Sequence, residues 1–100
     1  MIKILLCCAS GMSTSLLVEK MKRAATKQSV EAEIWAVNDE NTDLKDVEAD
    51  IIFLGPQVRY AKEEIQKTVG SIPVYMIGMK DYGMMNGDSV LEQALEYLGK

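Results

Sequence analysis

Four short apolar runs, separated by stretches too long to be hairpin turns, constrain this chain more than any other feature. Ile2–Cys7 is broken only by Lys3 and Asp50–Leu54 only by its first residue, which is how strands buried on both faces of a parallel sheet read. In Val30–Val37, Val30, Ala32, Ile34 and Ala36 alternate with Glu31, Glu33 and Trp35, predicting a half-exposed strand at a sheet edge. Ile72–Ile77 predicts a fourth strand, ended by Gly78.

The intervening stretches carry helical periodicity. Leu17, Met21, Ala24 and Ala25 form one apolar stripe, Val58, Ala61, Ile65 and Val69 a second, and Val90, Leu91, Ala94, Leu95 and Leu98 a third. Pro56 suits the start of the second helix, because the first helical position needs no amide donor. Asn38–Asp46 predicts a polar, turn-rich connection with a short helix around Thr42–Val47, and Gly78–Gly87 predicts a loop. Strand and helix alternating in this way imply right-handed crossovers, hence an α/β fold with a parallel sheet and helices on both faces. One domain covering residues 1–100 is expected, since a chain this long buries roughly 65% of its unfolded surface.

Ligands of such sheets bind beyond the carboxyl ends of the strands. Cys8–Ser15, Gly55–Tyr60 and Gly78–Gly87 are therefore expected to surround one site. The first of these, Cys8-Ala9-Ser10-Gly11-Met12-Ser13-Thr14-Ser15, joins the opening strand to a helix that begins near Met12. Its backbone N–H groups and the helix N-terminus can converge on an anion, and no acidic side chain stands in the first helical turn to neutralise that end. A thiolate here has its pKa lowered by the same dipoles, which makes Cys8 the nucleophile. Cys7 ends an apolar strand and reads as a small core residue. Ser13 or Thr14 is placed to cap the helix and meet the ligand, Gly11 to give backbone freedom, and Met12 to pack against the loop.

Composition narrows the function further. Eleven basic against fifteen acidic residues give a net charge of −4, which speaks against nonspecific nucleic-acid binding and anionic membrane surfaces. No apolar run approaches the roughly 18 residues that span a bilayer, and nothing resembles an export leader, so a cytoplasmic location with reduced thiols is expected. The chain has no histidine, which removes every Cys–His dyad and any phosphohistidine of its own. No metal or cofactor is expected.

A cysteine phosphatase would carry an arginine six residues after its nucleophile, but that position is Thr14, and the nearest arginine is Arg23. Asp81 in the third loop is a candidate general acid that nothing sets apart from a solvated residue. The pattern suits a loop that accepts a phosphoryl group and holds it for a partner. The competing readings are a stand-alone cysteine hydrolase or arsenate-type reductase, and a non-catalytic anion-binding module. Met12, Met79, Met84 and Met85 are expected either to fill the core or to form an apolar docking patch near the site.

At these residues the chain resembles the IIB component of the lactose/cellobiose (chitobiose) family of the bacterial phosphoenolpyruvate-dependent sugar phosphotransferase system. The resemblance spans nearly the whole chain and is carried by Cys8–Leu17, by Leu54-Gly55-Pro56-Gln57-Val58-Arg59-Tyr60, and by Tyr82-Gly83 with Asn86-Gly87. It implies a four-stranded parallel sheet in the order 2-1-3-4 and a phosphocysteine on Cys8. It also implies a loop like that of low-molecular-weight tyrosine phosphatases. The phosphoryl donor would be a phosphohistidine on the IIA protein, and the acceptor a sugar bound by the membrane-embedded IIC component. Gln57 and Tyr60 are candidate second contacts to phosphate or partners. A monomer is expected, touching the membrane only through IIC, with a β-linked disaccharide such as cellobiose, chitobiose or lactose as the sugar.

Overall fold

The computed structural model describes residues 1–8, 11–38, 47–55 and 61–99. Its elements run β1 (Ile2–Cys8), α1 (Gly11–Lys27), β2 (Ala32–Asn38), β3 (Ile51–Leu54), α2 (Lys62–Val69), β4 (Val74–Met76), α3 (Met79–Gly83) and α4 (Gly87–Tyr97). The four strands form one parallel sheet in the order β2-β1-β3-β4. This is the order the family resemblance implied.

Strand alternation divides the core into two layers. Ile4 and Leu6 of β1, with Ile34, Ile51 and Phe53, pack against Leu17, Met21, Ala24 and Ala25 of α1 and Val90, Leu91 and Ala94 of α4. Leu5 and Cys7, with Ile52, Leu54 and Val74, pack against Ala61, Ile65 and Val69 beside α2. Successive residues of β1 thus feed opposite layers, which is why its sequence is continuously apolar from Ile4 to Cys7. Cys7 is completely buried, as its place in the opening run predicts. Trp35 departs from expectation. Glu31 and Glu33 are exposed, but Trp35 is half-buried and packs against the Leu5–Cys7 layer, so the second face of this edge strand is partly covered.

Three boundaries differ from the sequence reading, each for a backbone reason. β2 begins at Ala32 rather than Val30, because residues 28–30 close α1. Ser29 adopts a left-handed φ of 57°. The Val30 N–H donates to the Ala25 carbonyl at 2.8 Å and the Ser29 N–H to that of Thr26 at 3.2 Å, the paired bonds of a Schellman ending. β4 is confined to Val74–Met76, because Pro73 has no N–H for the ladder and Ile72 donates back to Val69. The loop expected over Gly78–Gly87 contains α3, whose Tyr82 is buried in the α1–α4 layer. The helix starts predicted at Pro56 and around Thr42 lie outside the described residues.

α4 is fixed from both ends. Asn86 caps it by accepting from the Ser89 N–H at 3.1 Å. At the other end Tyr97 stacks on Tyr75 of β4, with ring centroids 3.9 Å apart and planes 8° from parallel.

Candidate functional site at the carboxyl ends of the strands

The parallel register brings the carboxyl ends of the strands together. Cys8, the last residue of β1, stands opposite Asn38 of β2. On its other side Cys7 pairs with Leu54, and the Gly55 N–H donates to the Cys7 carbonyl at 2.9 Å. The chain therefore leaves β3 at Gly55 about one strand spacing, roughly 4.8 Å, from the end of β1. Beyond it, the Ile77 N–H donates to the Leu54 carbonyl at 2.9 Å, which sets the start of the third loop next in line. Two hydrogen-bonded steps thus connect the exits of β1, β3 and β4.

α1 begins at Gly11, with only Ala9 and Ser10 between it and the end of β1. A helix leaves its first four amides without intrahelical partners, and no acidic residue lies in the first turn of α1. A helix end so close to a strand exit carries a partial positive charge beside that exit.

The sequence-derived candidates are distributed as follows. Cys8 ends β1, while Gly11, Met12, Ser13 and Thr14 form the opening of α1. Ser15 is exposed on the same helix. Ala9, Ser10, Gln57 and Tyr60 lie outside the described residues. Asp81 is committed elsewhere, since its Oδ2 accepts from the Ser89 hydroxyl at 3.2 Å and the Gln93 amide at 3.0 Å, tying α3 to α4.

The methionines do not behave as one patch. Met79, 74% exposed, opens α3 just beyond the β4 exit, whereas Met84 and Met85 stand beside the later turns of α1. Leu16, 50% exposed in the second turn of α1, and Met76, 37% exposed at the end of β4, add apolar surface at the strand exits. Neither was singled out from the sequence. Leu16 is hidden there by its neighbour Leu17, which is fully buried.

A parallel α/β sheet with a cysteine at a strand exit and a helix start directly after it is an arrangement suited to holding an anion beside a thiol. The chain belongs to the family described as the lactose/cellobiose-specific IIB subunit of the phosphotransferase system, whose model matches residues 3–93. IIB components are phosphotransferase subunits of sugar transport, and this chain is one of them. It is 47% identical over 98 residues to the oligo-beta-mannoside-specific EIIB component of Bacillus subtilis strain 168, covering 96% of this chain and 95% of that one. It is 43% identical to the galactose-specific EIIB component of Lactococcus lactis subsp. cremoris strain MG1363, covering 91% of each. Among solved structures it resembles the cellobiose-specific IIB component of Borrelia burgdorferi, with a TM-score of 0.77 and 33% identity over 98% of this chain and 92% of that one. The lactose-specific IIB domain of Streptococcus pneumoniae shares the fold with the same TM-score at 22% identity, over 95% of each chain.

IIB components work with IIA and IIC partners, and no helix among the described residues is long and apolar enough to cross a membrane.

Proposed function

We propose that the chain carries a phosphoryl group on Cys8. The thiolate attacks phosphorus of a phosphohistidine on IIA in line, so that the S–P bond forms as the N–P bond breaks and the histidine leaves neutral once it has taken up a proton. A hydroxyl of a sugar held by IIC then attacks the same phosphorus, releasing the thiolate and giving up its proton. Amides of roughly residues 10 to 15, at and before the start of α1, stabilise the charge on the equatorial oxygens. The observation that carries this reading is the adjacency of the β1 exit and the uncompensated start of α1. Gln57 and Tyr60, which follow Gly55 in the chain, serve as second-loop contacts to phosphate or partner. The sugar is a β-linked disaccharide, in keeping with the cellobiose and oligo-beta-mannoside specificities of the relatives. The chain acts in the cytoplasm as a monomer and meets the membrane only through IIC.

Intact mass after incubation with phosphoenolpyruvate and the upstream phosphotransferase proteins, IIA included, tests the proposal. One phosphoryl adduct on the wild type, absent from Cys8→Ser, is expected. No adduct while IIA is phosphorylated overturns it, and sustained turnover of p-nitrophenyl phosphate by the chain alone would favour a hydrolase.

A further inference from the structure

The basic residues of this acidic chain are unevenly placed. α1 carries Lys20, Lys22, Arg23 and Lys27, with Glu19 as its only acidic residue. None of these four cations makes an ion pair among the described residues, where the single salt bridge joins Lys3 to Glu48. Lys20, Arg23 and Lys27 form one wall of a groove of about 390 Å³, and Met84 to Asp88 form the other. The groove begins nine residues into α1, so it lies roughly 14 Å or more along the helix from the end near Cys8.

The far wall is a fixed turn. Met85 holds a left-handed φ of 52°, a conformation costly for any residue but glycine. It is kept there by its own N–H donating to the Tyr82 carbonyl and by the Gly87 N–H donating to the Met85 carbonyl. That turn leaves Met84 64% exposed on the rim. Backbone strain of this kind persists where the surroundings impose it, and it collects at binding surfaces. A rigidly presented methionine beside three cations with no ion pair among the described residues combines adaptable apolar contact with charge.

We propose that this groove docks a short acidic segment of a partner protein, with an apolar residue of the segment seated on Met84. The positive surface is narrow, because Asp88 itself lines the groove's far wall, Glu19 precedes Lys20 in the chain, and Glu92 and Glu96 lie exposed along α4. A bilayer or a nucleic acid would meet those carboxylates, in a chain of net charge −4, whereas a segment a few residues long need not. The surface is separate from the phosphoryl site, so its test does not depend on phosphotransfer.

The experiment is a 15N–1H titration of the full chain with a glutamate-rich peptide bearing one central leucine, at about 0.05 M salt, where exposed charges still interact. Shifts confined to residues 20–27 and 84–88 are expected. The charge-only variant Lys20→Gln/Arg23→Gln/Lys27→Gln, which keeps long side-chain stems, should weaken binding on the order of tenfold. Met84→Ser should weaken it about threefold, through lost apolar contact. Shifts scattered over the surface, or unchanged in the triple variant, overturn the proposal. So does a stronger response of the same residues to inorganic phosphate or to phosphatidylglycerol vesicles, which would make the groove a site for free anions or lipid.

Discussion

Gly87 lies directly against the backbone of Lys20: a Cβ at residue 87 would stand 2.6 Å from the Lys20 carbonyl carbon and 2.6 Å from the Met21 nitrogen. Backbone atoms cannot swing aside as the end of a side chain can. The first turn of α4 therefore seats on α1 only because residue 87 has no side chain.

Gly87→Ala is accordingly expected to destabilise the fold by about 3 kcal/mol, although alanine gains about 1 kcal/mol of helix propensity over glycine. Asn86→Ala removes only the cap of the same helix and should cost about 1 kcal/mol. Urea denaturation of the two variants checks the ranking, and an Asn86 effect equal to that of Gly87 would contradict the close-approach argument.

The two adjacent cysteines should separate cleanly. Cys8→Ser is expected to lose the phosphoryl adduct while unfolding like the wild type. Cys7→Ser places a hydroxyl in the fully buried layer under α2 and should cost about 1–3 kcal/mol while still accepting phosphate. Intact mass and thermal unfolding of each variant decide the matter.

Asp81 behaves as a structural clamp. Asp81→Ala removes the acceptor shared by Ser89 and Gln93 and should cost about 1–2 kcal/mol, leaving the rate of transfer from IIA unchanged. A tenfold fall in that rate, in protein shown to be folded, would return Asp81 to an acid role.

Ser29 offers a gain. Its left-handed backbone costs about 1 kcal/mol that glycine would not incur. Glycine's larger unfolded-state entropy offsets part of this, so Ser29→Gly should stabilise the chain by about 0.5 kcal/mol. A rise in the denaturation midpoint with an unchanged slope is the expected signature.

Most of the architecture was legible because it follows from burial. β1, apart from Lys3, and β3 announce themselves as apolar runs, since both of their faces are covered. The stripes of α1, α2 and α4 survive as Met21, Ile65 and Leu91 at the core. What escaped the sequence depends on backbone geometry instead. The closure of α1 by Ser29 and Val30 took two residues from β2, and Pro73 shortened β4. α3 is five residues long, too short to show a period, although Gly78 before it and buried Tyr82 within it were its available signals. At the candidate site, the start of α1 just after the β1 exit was readable from Cys8 to Thr14. Of the apolar surface near them, exposed Met79 was anticipated, but Leu16 and Met76 were not, because Leu16 beside buried Leu17 and Met76 beside buried Ile77 look alike in a sequence.

The central position of β1 has a mechanical consequence. It is hydrogen-bonded along both edges, to β2 and β3, and its residues from Ile4 to Cys7 are sealed from solvent. Its amides should be among the slowest in the molecule to exchange with heavy water, opening only when the whole fold opens. A group mounted on the end of such a strand is held like a tool in a vice. For the phosphoryl transfer proposed above, this means that both partners would have to bring their own reacting atoms to one stationary point.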